Sequence, residues 1–386
     1  MSHSWKLSHF FAGFSAVLVG YTSSVVIVMQ AALTAGATQG QLESWLLVLG
    51  LIMGVSSIGL SWWYKTPILT AWSTPGAAFL VANAGSYTLG EVIGACVIVG
   101  VFTVISGFIR PLNHWLQNLP ASLSTAMLAA ILLPFCIKGF SAASQYSDLF
   151  LILLAIYLTV KAMWPKYTMA SLLFVTLIYA LFYGFFDQPI RLTFSTWQWM
   201  TPTFDGLAIL NLALPLYLLT MLSQNLPGIA MVRQFDFSLS VKPVLVTMGL
   251  LNATTACLGG FSINLAAISA ALCLNQDVDQ DASQRYRSAI WAGVFYLLAG
   301  VFATTVVSVF TQLPSGVTVM LASFALLGTL LMCLTQAFQN EVYREAALVT
   351  FLVILSGINV AGVSATLWGL MAGGLVLQVS KRHKQQ

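Results

Sequence analysis

Apolar runs of about 20 residues, the length a helix needs to cross a bilayer, recur along the whole chain. Twelve are continuous: 10–33, 44–63, 89–109, 121–140, 148–164, 169–186, 207–232, 241–258, 289–310, 317–337, 344–358 and 361–379. Two more, 66–84 and 259–274, are interrupted by polar or helix-breaking residues. The first run, from Phe10, is too long for the apolar part of a signal peptide and has no clear cleavage site, so it reads as a span. The longest polar stretch, Phe186 to Gly206, leaves no room for a soluble domain.

Composition agrees. Charged residues make up 7% of the chain and hydrophobic residues 59%, against roughly 25% charged in a soluble domain. So few charges cannot cover a water-facing surface. The chain therefore reads as a polytopic integral membrane protein, and its net charge of +4 points to no nucleic acid. The five cysteines fall in apolar segments without metal-ligand spacing and are expected to be small buried residues.

Charge placement decides whether the interrupted runs cross. If both do, and the N-terminus is cytoplasmic, every Lys and Arg except Lys138 and Arg191 lies on the cytoplasmic side. If neither does, Lys65 and Arg110 fall on opposite faces and the asymmetry scatters. The positive-inside rule favours the first arrangement. The expected fold is an all-α polytopic membrane protein with 14 transmembrane segments and both termini cytoplasmic.

Fourteen segments divide into two sevens, and an odd-numbered repeat must be inverted. WSTPGAA (Trp72–Ala78) matches FSINLAA (Phe261–Ala267), and LQNLPASLSTAMLA (Leu116–Ala129) matches FTQLPSGVTVMLA (Phe310–Ala322) with one gap. The two matches are collinear. They divide the chain into a first seven-span repeat, 1–190, and a second, inverted one, 205–386. The first match joins the interrupted runs, and interrupted segments at corresponding positions of two halves mark a transporter's binding site.

Both runs read as a short extended piece followed by a helix. In the first, Thr74 is the expected cap and Pro75 suits the first helical position. In the second, Asn264 is the expected cap of a helix over Leu265–Leu274. Two kinked helices packed on small residues would be the plainer reading, but the paired positions and two cap chemistries argue against it. A helix that starts inside the membrane presents unpaired N–H groups, tolerated only within protein or beside water, and these attract anions. Two such starts facing each other make a site for a small anionic or polar molecule.

Other intramembrane polar residues are candidates by position: Tyr21, Thr22, Ser23, Ser24 and Gln30 in the first span, and Ser223, Gln224 and Asn225 before Pro227 in the eighth. All eleven acidic residues lie at span ends or in loops, so no midplane carboxylate relay is visible. NQDVDQD (Asn275–Asp281) lacks the glycine and terminal glutamate of a calcium loop and reads as a solvated turn. No nucleophile, base and orienter come together, which argues against an enzyme, and no cofactor is implied.

At TPILTAWSTPGAA (Thr66–Ala78), ALPLYLLTMLSQNLPGIA (Ala213–Ala230), NLAAISAALC (Asn264–Cys273) and LWGLMAGG (Leu367–Gly374), the sequence resembles the benzoate:proton symporter (BenE) family. The resemblance implies a bacterial inner-membrane importer of benzoate-like aromatic acids, with protons as the coupled ion. It also implies a relationship to uracil-permease-type transporters. Their seven-plus-seven inverted repeats carry half-strand, half-helix third and tenth spans. Spans 1–4 and 8–11 form a core, and spans 5–7 and 12–14 form a gate. Homodimers are common for that fold, by analogy only. Those relatives place acidic residues in spans eight and ten, where this chain has Gln224 and Asn264; the exchange is coherent if the substrate is itself an anion.

The substrate carboxylate is then expected between Thr74, Gly76 and Ala77 on one side and Asn264 and Leu265 on the other. Ser73 and Ser262 line the site, Ser23 lies nearby, and Gln224 and Asn225 donate amide hydrogens. Tyr21 is the first choice to pack on the ring, with Trp72 and Phe261 as alternatives. Glu341 and Glu91, near span ends, are the candidate proton carriers. A nucleobase or other small anion on the same fold, or an anion channel, is the competing reading.

Overall fold

The computed structural model describes residues 5–109, 120–188 and 192–383. Arg110, Arg191 and Lys384 of the charge argument, the expected boundary at residue 190, and Leu116–Leu119 of the second repeat match lie outside them. The chain is a mostly helical polytopic membrane protein. Among the described residues, seven helices are long and apolar enough to cross a membrane, and a pair bent by 61° makes an eighth.

The first half contains α1 (Leu7–Thr22), α2 (Val25–Thr34), α3 (Gln39–Tyr64), strand β1 (Thr70–Trp72), α4 (Thr74–Asn83), α5 (Leu89–Phe108), α6 (Ala121–Ser141), α7 (Ser147–Met163) and α8 (Thr168–Phe182). The second contains α9 (Gly206–Gln234), α10 (Val241–Thr255), strand β2 (Ile263–Leu265), α11 (Ile268–Leu274), α12 (Tyr286–Val301), α13 (Ala303–Gln312), α14 (Ser315–Gln339), α15 (Arg344–Leu355) and α16 (Ala365–His383).

Local chemistry explains the irregular helices. The expected first span is continuous over Leu7–Thr34 but irregular between α1 and α2, where Thr22, Ser23 and Ser24 turn their hydroxyls back onto the carbonyls of Leu18 and Gly20 and so compete with the helix ladder. The α9 helix contains two wide turns, Ile209–Ala213 and Met221–Asn225. Each ends two residues before a proline, Pro215 or Pro227. Proline lacks an N–H and its ring clashes with the carbonyl four residues back; widening the preceding turn makes room without breaking the helix. The run over 289–310, expected to be one span, is the bent pair α12 and α13.

Packing pairs helices that lie far apart in the chain. The closest contacts join α3 to α12, α5 to α10 and α6 to α14. Glycines permit the first two: a Cβ on Gly50 would sit 2.5 Å from the Gly300 Cα, and one on Gly100 would sit 2.4 Å from the Ala253 nitrogen. Such small-residue contacts are how membrane helices approach closely. All five cysteines are buried, as expected.

The polar segment before α9 is an extended strap. Ser195 N–H donates to the Val301 carbonyl and its hydroxyl accepts from Thr304 N–H, so the strap caps the bend between α12 and α13. Further along, Gln198 N–H donates to the Ser44 hydroxyl of α3, Met200 N–H to the Cys257 carbonyl after α10, and Thr203 N–H to the Gly90 carbonyl of α5.

Candidate functional site

Strands β1 and β2 pair antiparallel, with Thr70 opposite Leu265, Ala71 opposite Asn264 and Trp72 opposite Ile263. The pairing continues through Ser73 N–H to the Ser262 carbonyl and Ala266 N–H to the Leu69 carbonyl, both 2.9 Å. A two-stranded ribbon leaves two outer edges unpaired, which is untenable away from water. Side chains of neighbouring helices close both.

On the β1 side, Ser57 Oγ accepts from Thr70 N–H at 3.0 Å. Ser61 Oγ accepts from Ile68 N–H at 3.0 Å and donates to the Ile68 carbonyl at 2.9 Å. Ser56 and Ser57 both bond the Thr70 hydroxyl. On the β2 side, Asn252 of α10 accepts from Ile263 N–H at 2.8 Å and donates to its carbonyl at 3.2 Å. Asn225, in the second wide turn of α9, accepts from Leu265 N–H at 3.1 Å and donates to Asn264 Oδ1 at 3.2 Å. The sequence carries a signal for these supports: Ser57 and Ser61 share one face of an apolar helix, and Asn252 is a lone amide in an apolar run.

The two helix starts differ from expectation. Ser73, not Thr74, is the N-cap of α4; its hydroxyl accepts from Gly76 N–H at 2.9 Å, and Thr74 is the first helical residue. Asn264 is not a cap at all. It lies within β2, where its amide donates to the Ser262 carbonyl at 2.8 Å, a local bond that holds the chain extended. Helix α11 therefore begins later than expected, at Ile268, without a side-chain cap. Leu265 is the last strand residue, while Gly76 and Ala77 lie buried in the first turn of α4.

Tyr21 packs on Trp72 with ring centroids 5.0 Å apart, and Trp72 Nε1–H donates to Ser24 Oγ at 2.7 Å. Ser24, rather than Ser23, thus reaches β1; Ser23 donates to the Gly20 carbonyl. Phe261 is buried beside Trp45. The Tyr21 hydroxyl and the Ser262 Oγ are buried without a hydrogen-bond partner among the described residues. Ser262 also takes a left-handed backbone, φ 33°, a conformation L side chains rarely adopt and one that collects at functional sites. Half-buried Gln224 has no side-chain partner among the described residues.

The acidic candidates lie elsewhere. Glu91 is spent in a capping box with Thr88 at the exposed start of α5. Glu341 is 83% exposed and faces Arg344 at 3.5 Å. The structure brings neither to the strand crossing.

Asp279 corrects the reading of Asn275–Asp281 as a solvated turn. Its carboxylate is 1% exposed, with Lys6 Nζ at 2.8 Å and His9 Nε2 at 3.0 Å. His9 Nδ1 accepts from the Lys6 amide, which leaves Nε2 to donate to Asp279. Burial alone would raise the Asp279 carboxyl, but the hydrogen bonds from Lys6, the Asp281 amide and His9 outweigh it and hold it below the ordinary carboxylate range. The depressed value means that ionised Asp279 stabilises the fold above its unfolded pKa of about 3.9 and loses that contribution as pH falls through the folded value. Asp279→Asn is expected to lower the melting temperature at neutral pH by about 3 °C. The difference from the parent should shrink as pH falls below about 4; thermal-shift curves against pH check this.

The sequence profile of the family described as benzoate membrane transport protein matches residues 3–379. An inner membrane protein of Escherichia coli, YdcO, is 40% identical over 94% of this chain and 93% of its own length. The benzoate membrane transport protein of Acinetobacter baylyi is 32% identical over 100% of this chain and 98% of its own. Among solved structures, the transmembrane domain of the cyanobacterial bicarbonate transporter BicA superposes with a TM-score of 0.64 at 15% identity, over 95% of this chain and 97% of that one. SLC26A9 superposes at 0.65 and 11% identity, over 98% of this chain and 66% of that one. These structural likenesses concern the fold alone. With a profile that spans nearly the whole sequence and two relatives that cover it, the chain belongs to the benzoate membrane transport protein (BenE) family and is a membrane transporter.

Proposed function

We propose that this chain imports benzoate or a similar small aromatic carboxylate together with protons, by alternating access across a bacterial inner membrane. The observation that carries the reading is the buried crossing of β1 and β2. There the Tyr21 and Ser262 hydroxyls have no partner among the described residues, and a helix starts beyond each strand. Buried polar groups are normally satisfied. A carboxylate brings acceptors only, which suits hydroxyl and amide donors, and the Tyr21 and Trp72 rings offer a face for an aromatic ring. The name of the Acinetobacter baylyi relative supports the same substrate class.

The proposal includes fourteen crossings in two inverted halves, 1–190 and 205–386, with both termini cytoplasmic. The pairings α3 with α12 and α5 with α10 support it, because exchanging the halves turns one pair into the other. Spans 1–4 and 8–11 would carry the substrate against the rest.

Uptake of labelled benzoate into proteoliposomes is expected to saturate and to rise with an inward proton gradient. Tyr21→Phe should raise the benzoate KM about tenfold and leave the melting temperature level or higher, because it removes a hydroxyl with no partner among the described residues. The likeness to a bicarbonate transporter favours a smaller anion as the second reading. Saturable bicarbonate uptake without benzoate uptake would replace the proposal with that one, and ohmic currents would replace it with a channel.

A further inference from the structure

An open cleft of about 520 Å³ lies where α4 and α6 end, flanked by the start of α9 and by residues 354–366. It falls within the usual size range of ligand pockets. Its lining begins at Val81 on α4, roughly 10 Å along that helix from Thr74 at 1.5 Å per residue, so it is distinct from the strand crossing. Among the described residues, Lys138 is the charged side chain in the lining, and no carboxylate lines it. Lys138 is exposed and has no acidic partner among the described residues.

The wall beside Lys138 is apolar. Ile131, Pro134, Phe135 and Lys138 all line the cleft and follow one another at helical spacing on one face of α6. Ser364 also lines the cleft, and its Oγ is buried without a partner among the described residues. That side is held rigid: Asn211 of α9 accepts from Ser364 N–H at 2.8 Å and donates to the Gly362 carbonyl at 2.6 Å. A fixed cavity with a cation at one end of an apolar wall matches a molecule with an anionic group at one end of an apolar ring.

We propose that this cleft is a second, peripheral site for small aromatic monocarboxylates. Lys138 holds the carboxylate and Phe135 packs against the ring before the molecule passes to the crossing. That last step rests on the carrier reading above; occupancy of the cleft does not.

The test reads the cleft without using transport. Asn359 is exposed and lines the cleft, and the five natural cysteines are buried, so Asn359→Cys adds one addressable thiol. With Lys138 present, an anionic methanethiosulfonate should label it about threefold faster than a cationic one, after correction for their rates with a free thiol. Benzoate should slow the labelling. Adding Lys138→Gln should equalise the two reagents and remove protection by benzoate, while Lys138→Arg should keep both effects. Equal reagent ratios with and without Lys138, or benzoate protection that survives Lys138→Gln, would overturn the site. Failure of benzoate uptake with charge-selective labelling and protection intact would instead overturn the transport proposal.

Discussion

Asn225→Leu is expected to abolish benzoate uptake and to lower the melting temperature in detergent by at least about 5 °C. The side chain is 1% exposed and serves two buried groups at once, the Leu265 N–H and the Asn264 Oδ1. Leucine keeps the volume and strands both. Each buried polar group left unpaired costs about 1–3 kcal/mol, and no water inside the bilayer takes its place. Gln224→Ala is the contrast. Gln224 has no partner to strand among the described residues, so uptake should fall while the melting temperature stays within about 1 °C of the parent. Full uptake by Asn225→Leu would mean that the strand crossing does not need its support.

The contrast also measures what was legible beforehand. Adjacent amides before a Pro-Gly pair marked Gln224 and Asn225 as donors to a substrate, whereas Asn225 bonds β2 itself; the match of WSTPGAA with FSINLAA set the two interrupted runs facing each other, and they meet through β1 and β2. The helix starts were misplaced by one residue at Ser73 and by several at Asn264. Serine and asparagine bond their own backbone in both capping and extended geometries, and only the fold selects between them. The supports from Ser57, Ser61 and Asn252 depend on which helix lies against which strand, information that periodicity does not carry. Burial of Asp279 depends on Lys6 and His9, which lie at the other end of the chain.

Gly50→Val is expected to leave little or no monodisperse protein. A Cβ there meets the Gly300 backbone at 2.5 Å, and backbone cannot rotate aside as a flexible side chain does. The α3 and α12 axes must separate along one of the most extensively packed helix pairs among the described residues, a loss of more than about 3 kcal/mol. Gly300→Val should behave alike, since its Cβ would meet Gly50. Gly59→Val is the control: it lies on the same helix, and a Cβ there has nothing within 4 Å. Its size-exclusion profile and thermal stability should match the parent. A folded, active Gly50→Val would show that this helix pair tolerates separation.

The strap around Ser195 ties several helix ends together. It is bonded to the bend after α12, to the start of α3, to the start of α5 and to the turn after α10, and so lies across one end of that group of helices like a partial roof. None of its residues lines the Lys138 cleft. The strap therefore ties the ends of α3, α5, α10 and α12 together, and the Lys138 cleft on α4 and α6 lies outside the helices that it ties.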